Sequence, residues 1–339
     1  MIVNIDILDW QSISALGISR PAIWEHYLQT QSLLTLKAFK DAWVWQGALS
    51  EAAEDSLQAF IQEFPLVKKM DRSVQMACYS AHCLASANQI DANCGVNAGS
   101  SRGATGKLEE AIHKFQQSGV TPVQTSPLTT AGNVASNVAQ FIGAQGAAVS
   151  HSITCSTFMH GLLNAVAWLK AGFSEQFVLS GTEAPLTNFT LTQMHMLGIY
   201  SKASTEEKYP SQPLNFGKKT NTMVLGEGAL SMLLGSNAAT RKGRIVSIGY
   251  AREMVNSAAA ISKEGKCIEQ AMEMALEGLD KKLVSAIIAH APGTYNGDLA
   301  EQEAIKKVFG DSVPPCTSNK WKLGHTFGAS GGFSMEWLY

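Results

Sequence analysis

Charge is scarce in this sequence. Only 16% of its 339 residues are Asp, Glu, Lys or Arg, and the net charge is −2. So near neutrality, the chain offers no basic stripe for nucleic acid or an anionic membrane surface. It also lacks an apolar run of the roughly 20 residues that a membrane-spanning helix needs. The opening Met1 to Asp6 stretch carries an acid early and no basic segment, so it does not read as a secretory leader. Six cysteines, at 78, 83, 94, 155, 267 and 316, have no CxxC or other metal-type spacing. They are expected to be reduced thiols of a cytoplasmic protein, with no bound metal. Low-complexity linkers and short repeats are missing too.

What is present is core material. Hydrophobic residues make up 45% of the chain, enough for one large domain or two. The low charge suits a surface partly covered by a partner subunit. Helix-period and strand-like segments alternate. Helices are expected over 71–84, 101–115, 134–141 and 267–279. Strands are expected over 94–100, 177–181, 228–234, 245–250 and 284–289. Residues 206–222, broken by Pro210 and Pro213, read as a surface loop. Such alternation predicts an α/β fold with helices covering largely buried sheets. A shift in composition near Gly235 to Gly243 marks a seam between two halves, 1–238 and 239–339.

The most informative stretch runs from Ala147 to Gly161. A short β-favouring run stops at Cys155, and helical spacing then begins at Leu162, Leu163, Ala165, Val166 and Leu169. This places Cys155 at a strand-to-helix elbow near the positive end of a helix, where a thiol's pKa is expected to fall. Taken alone, a free cysteine is more often a small buried hydrophobe.

Three other segments carry the types of residue that do chemistry. In the first, His290 closes a buried strand. A Gly/Pro/Asn loop with Thr294 follows, and then two acids, Asp298 and Glu301. In the second, Lys320 and His325 stand five apart, before a run of tiny residues from Gly328 to Gly332 that permits close backbone packing. In the third, Glu227 lies between Gly226 and Gly228, where a structural hydrogen-bonding role is favoured. Each has a bland alternative: a satisfied strand-end histidine, tight helix packing, a structural acid. His160, on the helix after Cys155, reads as a packing or positioning residue.

Taken in order, the segments resemble the β-ketoacyl-acyl carrier protein synthases, the elongating condensing enzymes of the thiolase superfamily. Lys69-Met70-Asp71-Arg72 resembles the family's early MDR helix start. Val96-Asn97-Ala98-Gly99-Ser100 sits where the family has its Gly-Ser strand end. Ile153-Thr154-Cys155-Ser156-Thr157 resembles its nucleophile elbow. Ser180-Gly181-Thr182-Glu183-Ala184 is similar to GGTEA, and Leu225-Gly226-Glu227-Gly228-Ala229 to LGEGA. The His290 to Glu301 and Asn319 to Gly332 segments resemble its two histidine motifs.

The resemblance implies a thiolase-like five-layered αβαβα fold built from two similar halves, and a dimer with itself or with a related chain-length subunit. It implies that Cys155 takes an acyl chain from the phosphopantetheine of an acyl carrier protein. His290 and His325 would then hold a malonyl thioester's carbonyl oxygen during decarboxylative Claisen condensation in fatty acid or specialised polyene or polyketide synthesis. The backbone N–H of Cys155 would supply one oxyanion donor. Lys320, Asp298, Glu301 and Thr294 would support the histidines, with no metal or redox cofactor. The sequence departs from the family at Pro292. It departs again at Ser334, where the family has a glutamate opposite the lysine (Glu336 lies two residues on). It also ends at Tyr339, before the family's last strands and glycine-rich loop. Two other readings stay open: a non-condensing chain-length-type partner subunit, and a Cys-His thioester hydrolase.

Overall fold

The computed structural model describes residues 1–40, 42–236, 240–254, 262 and 264–338. The strands are β1 (Ile2–Ser14), β2 (Thr35–Phe39), β3 (Ala42–Gln46), β4 (Gly95–Gly99), β5 (Ala148–Val149), β6 (Gln176–Glu183), β7 (Gly228–Gly235), β8 (Gly243–Ser247), β9 (Ile287–Ile288) and β10 (Cys316–Thr317). The helices are α1 (Arg20–Leu28), α2 (Glu51–Glu63), α3 (Arg72–Ala87), α4 (Thr105–Ser118), α5 (Thr125–Thr129), α6 (Asn133–Ile142), α7 (Thr157–Ala171), α8 (Asn188–Met196), α9 (Lys266–Leu276), α10 (Tyr295–Phe309), α11 (Lys320–Leu323) and α12 (Ser330–Glu336).

A mixed sheet in the order β5-β4-β6-β7-β1-β8 organises the molecule. β4 pairs in parallel with both β5 and β6, and the remaining pairings are antiparallel. Both faces are covered, and the side-chain period of two sorts each strand between two cores. On β6, Val178 points to the face that carries α3 and α6, while Phe177 and Leu179 point to the face that carries α7. On β7, Leu233 joins the first core, and Leu230, Met232 and Leu234 join the second. Near-continuous apolar runs such as Gly228–Gly235 follow from this two-sided burial. β9 and β10 form a separate parallel pair, and β2–β3 a hairpin.

The α/β expectation agrees with this architecture, and each predicted strand and helix is found with shifted ends. α4 starts at Thr105 rather than 101, because the Ser100 hydroxyl accepts the N–H groups of Arg102 and Gly103 and turns the chain first. β8 ends at Ser247 rather than 250, because its partner β1 runs out at Ile2. The seam after residue 238 falls on positions outside the described residues. The strand that follows it, β8, closes the edge of the first sheet beside β1.

Candidate active site

The chain leaves β5 and turns sharply before α7. Thr154 adopts φ +46°, a left-handed conformation costly for a β-branched residue. Thr157 staples the turn: its hydroxyl accepts the N–H of Ile153 at 2.9 Å and donates to the carbonyl of Thr154 at 2.7 Å. Gly99, at the end of β4, lets the elbow approach. A Cβ there would lie 2.4 Å from Thr157 Cγ2 and 2.8 Å from the His151 carbonyl oxygen. The bend fixes where Cys155 points.

His325 comes to the same place by another route. Its backbone bridges to the segment before β7: the N–H donates to Val224 at 2.7 Å, and the carbonyl accepts from Gly226 at 3.0 Å. Its Nε2 lies 3.1 Å from Cys155 Sγ, and its Nδ1 lies 2.9 Å from Ser330 Oγ. A hydroxyl both donates and accepts, so Ser330 can serve either tautomer of the ring. His290 stands 5.1 Å away, centroid to centroid, with its ring turned 77° from that of His325. One donor atom from each of Cys155, His290 and His325 lies within 4.8 Å of the others. Residues far apart in the sequence thus converge on one point.

Around this trio the supporting residues divide their work. Glu301 is buried and holds the backbone of the His290 loop: Oε1 accepts the N–H of His290 and Oε2 that of Ala291, both at 2.7 Å. Asp298 accepts the N–H groups of Gly293 and Leu214, each at 3.1 Å, and pairs with the buried ammonium of Lys218. Lys320 is 1% exposed and makes no ion pair among the described residues; its Nζ contacts Asn319 Oδ1 at 3.4 Å. Ser334 stands where a carboxylate is expected. The Glu336 carboxylate takes the hydroxyl of Ser12 instead and does not serve Lys320. Thr294 caps α10 by its backbone, and its hydroxyl is buried with no partner among the described residues. Glu227 receives the Arg72 guanidinium at 2.7 and 2.8 Å and the N–H of Leu49 at 3.2 Å. His160 sits on the exposed side of α7 with Nδ1 near the Ser156 carbonyl.

Electrostatics correct one expectation. The Cys155 thiol is pushed up to about 11, by burial first and then by the negative charge of Glu183; Lys320 and the residue's own N–H oppose this without overcoming it. The first residue of α7, Thr157, comes two residues later. Lys320 is lowered to about 8 by burial, offset by Glu301, Cys155 and Asp298. Both imidazoles are held neutral. Packing around its ring and then Lys320 depress His290, although the residue as a whole is exposed; burial, His290 and Lys320 depress His325.

Glu183, quoted above only within the GGTEA-like segment and given no role there, is the one charged residue of β6. It accepts the Ser100 hydroxyl and the N–H groups of Ser101, Arg102 and Gly328 at 2.8–3.2 Å. Gly328 has to be glycine for this contact, since a Cβ would lie 2.6 Å from the Ser101 nitrogen. Lys218 and Ser330 were missed as well. Each is a single polar residue whose role appears only once distant segments meet.

The sequence matches the beta-ketoacyl synthase N-terminal domain over residues 23–239 and the beta-ketoacyl synthase C-terminal domain over residues 239–336. It is 28% identical over 284 residues to a Staphylococcus aureus 3-oxoacyl-[acyl-carrier-protein] synthase 2, covering 78% of this chain and 69% of the relative. A solved type II polyketide-synthase acyl-carrier protein in complex with its ketosynthase (AntDE:AntF) superposes with a TM-score of 0.84 at 18% identity, over 100% of this chain and 86% of that one. The ishigamide ketosynthase/chain length factor superposes with a TM-score of 0.84 at 17% identity, over 99% and 85%. These superpositions show a thiolase-like α/β fold. Matched from residue 23 to residue 336, this chain belongs to the beta-ketoacyl synthase family.

Proposed function

We propose that the chain is a condensing enzyme that joins an acyl group held on Cys155 to a malonyl thioester. The observation that carries this reading is the 3.1 Å approach of His325 Nε2 to Cys155 Sγ, with His290 completing the trio. A high-pKa thiol beside a neutral imidazole attacks with proton transfer rather than as a standing thiolate. Cys155 Sγ would add to the acyl thioester carbonyl while its proton passes to His325 Nε2. That proton then leaves with the carrier's thiol. In the second half-reaction, with the His325 proton on Nε2 and Ser330 donating to Nδ1, two imidazole N–H donors would face one carbonyl oxygen. They stabilise the enolate left when the malonyl group loses CO2, a task that preorganised donors perform well. The enolate carbon attacks acyl-Cys155 and expels the Cys155 thiolate, which takes up a proton from solvent to regenerate the thiol.

Lys320 supplies positive charge near the developing oxyanion, and Glu301 and Asp298 fix the loop that carries His290. No step requires a metal or redox cofactor. We further propose an acyl carrier protein as the donor of both substrates and a self-paired or ketosynthase-like partner subunit. The complexes named for the structural relatives support both. Among the described residues no helix is long and apolar enough to cross a membrane, and we place the enzyme in the cytoplasm. The two family matches, meeting at residue 239, support the division into halves. The test is to supply acyl- and malonyl-carrier protein and follow CO2 release and 3-ketoacyl product. Acylation of Cys155 without CO2 release would favour a non-condensing subunit, and free acid alone would favour a hydrolase.

A further inference from the structure

We propose that Cys155, His290 and His325 also form a reversible Zn2+ site, so that a thiophilic cation caps the nucleophile. Binding rests on the geometry alone; that it blocks acyl loading rests on the proposed function. Three observations meet here. First, the donors are of the right kind: thiolate sulfur and imidazole nitrogen are both zinc ligands, and three protein ligands leave a fourth position for water. Second, they are close enough. Tetrahedral Zn2+ with metal–ligand distances of about 2.0–2.3 Å places its donors roughly 3.4–3.6 Å apart. Here Cys155 Sγ and His325 Nε2 are 3.1 Å apart, and the full trio falls within 4.8 Å. Rotations of the Cys155 and His290 side chains supply the remaining ångström or so. Third, His325 already carries the outer contact typical of a metal-bound histidine, a hydrogen-bond partner on its far nitrogen, in Ser330.

Binding would release the thiol proton of Cys155 to solvent, leaving a thiolate on the metal. Lys320 is the opposing charge, and Glu301 and Asp298 partly balance it. The site is therefore expected to hold Zn2+ more weakly than a dedicated structural site, which suits a reversible cap.

Titration of the purified full chain with Co2+ and then Zn2+ tests this. The expected result is one equivalent of Co2+ with tetrahedral visible bands and a near-ultraviolet sulfur-to-cobalt charge-transfer band, displaced by Zn2+. The band should vanish in Cys155→Ser and in wild-type protein alkylated at Cys155, persist in Cys316→Ser, and need at least tenfold more Co2+ in His290→Ala. The alkylated wild type keeps the test independent of whether a variant folds. Co2+ bound without the charge-transfer band, or Zn2+ affinity unchanged on alkylating Cys155, would overturn the site. The spectrum does not depend on turnover. A protein that binds Co2+ in this way yet never condenses would discard the proposed function alone.

Discussion

Glu301 holds His290 by its backbone rather than by its ring. Its two carboxylate oxygens take the adjacent N–H groups of His290 and Ala291 at 2.7 Å each. Ala291 sits at φ +23°, outside the conformations an alanine prefers. The carboxylate therefore stabilises a turn that the local sequence disfavours. Glu301→Gln keeps one acceptor and turns an amide N–H group toward the other donor. An orphaned buried N–H costs about 1–3 kcal/mol. Decarboxylation of malonyl-carrier protein should fall at least tenfold while alkylation of Cys155 by iodoacetamide stays near the wild-type rate. Equal losses in both would show that the carboxylate acts beyond the His290 loop.

Lys218 and Asp298 form an ion pair with side chains 3% and 1% exposed. Burial pushes the Asp298 carboxyl up, and Lys218 is the strongest influence pulling it back down. The pair ties residues 212–218 to Gly293 and so braces the His290 loop from outside. Lys218→Met leaves a buried charge without its counterion, a loss of about 3–5 kcal/mol. Lys218→Met combined with Asp298→Asn should regain part of it. Urea midpoints of Lys218→Met, Asp298→Asn and the double variant measure this, and additive losses would mean that the two side chains are energetically independent.

Burial raises the Glu336 carboxyl from an ordinary 4.5 to about 7; the Ser12 hydroxyl and Arg20 pull the other way. Between those values the folded chain keeps a proton that the unfolded chain has released. Stability from this group is therefore full below pH 4.5, falls as pH rises through the window and is constant above 7. The whole effect is roughly 3 kcal/mol at most. Glu336→Gln removes the titration. Denaturant unfolding at pH 5 and pH 8 should show the variant gaining on the wild type at the higher pH, and an unchanged difference would refute the assignment.

The thiol of Cys155, pushed up to about 11, sets a reactivity profile opposite to that expected at a helix N-terminus. Its iodoacetamide rate should climb about tenfold per pH unit between 7 and 9 without a plateau. Cys78 and Cys94, pushed by burial to about 12 and enclosed in the core, should stay unmodified in the native protein. A plateau below pH 8 at Cys155 would restore the low-pKa thiolate.

The sequence marks residues whose role is set locally. Cys155 lies at a change from strand to helical spacing, and His290 lies at a strand end before a glycine-rich loop. Both are periodicity signals that survive without the fold. What sets the thiol's pKa is not local. Glu183 and Lys320 lie 28 and 165 residues away in the chain, and no spacing rule reports the depth of burial. The bracing by Lys218 was hidden for the same reason: residues 206–222 are polar and proline-broken, and only the contact with α10 turns that loop into a support. β1 went unassigned because Asp6 and Asp9 interrupt its apolar pattern. Both are buried in the structure, and Arg244 and Arg20 pair with them.

Lys320 is a buried cation that titrates close to neutral pH. Burial lowers it to about 8, and no carboxylate pairs with it among the described residues. Below pH 8 its ammonium disfavours protonation of either ring and, on the proposed function, would favour an enolate forming near His290 and His325. Above pH 8 the ammonium is lost, and both effects fade together. Decarboxylation should therefore decline above pH 8, about tenfold per unit where the charged form is the active one. Lys320→Arg keeps its charge to far higher pH and should move that limb out of range, at the cost of a poorer fit. Lys320→Met should be slow at every pH and lack the limb. If the decline above pH 8 persists in Lys320→Met, another group carries it, and the lysine acts through packing alone.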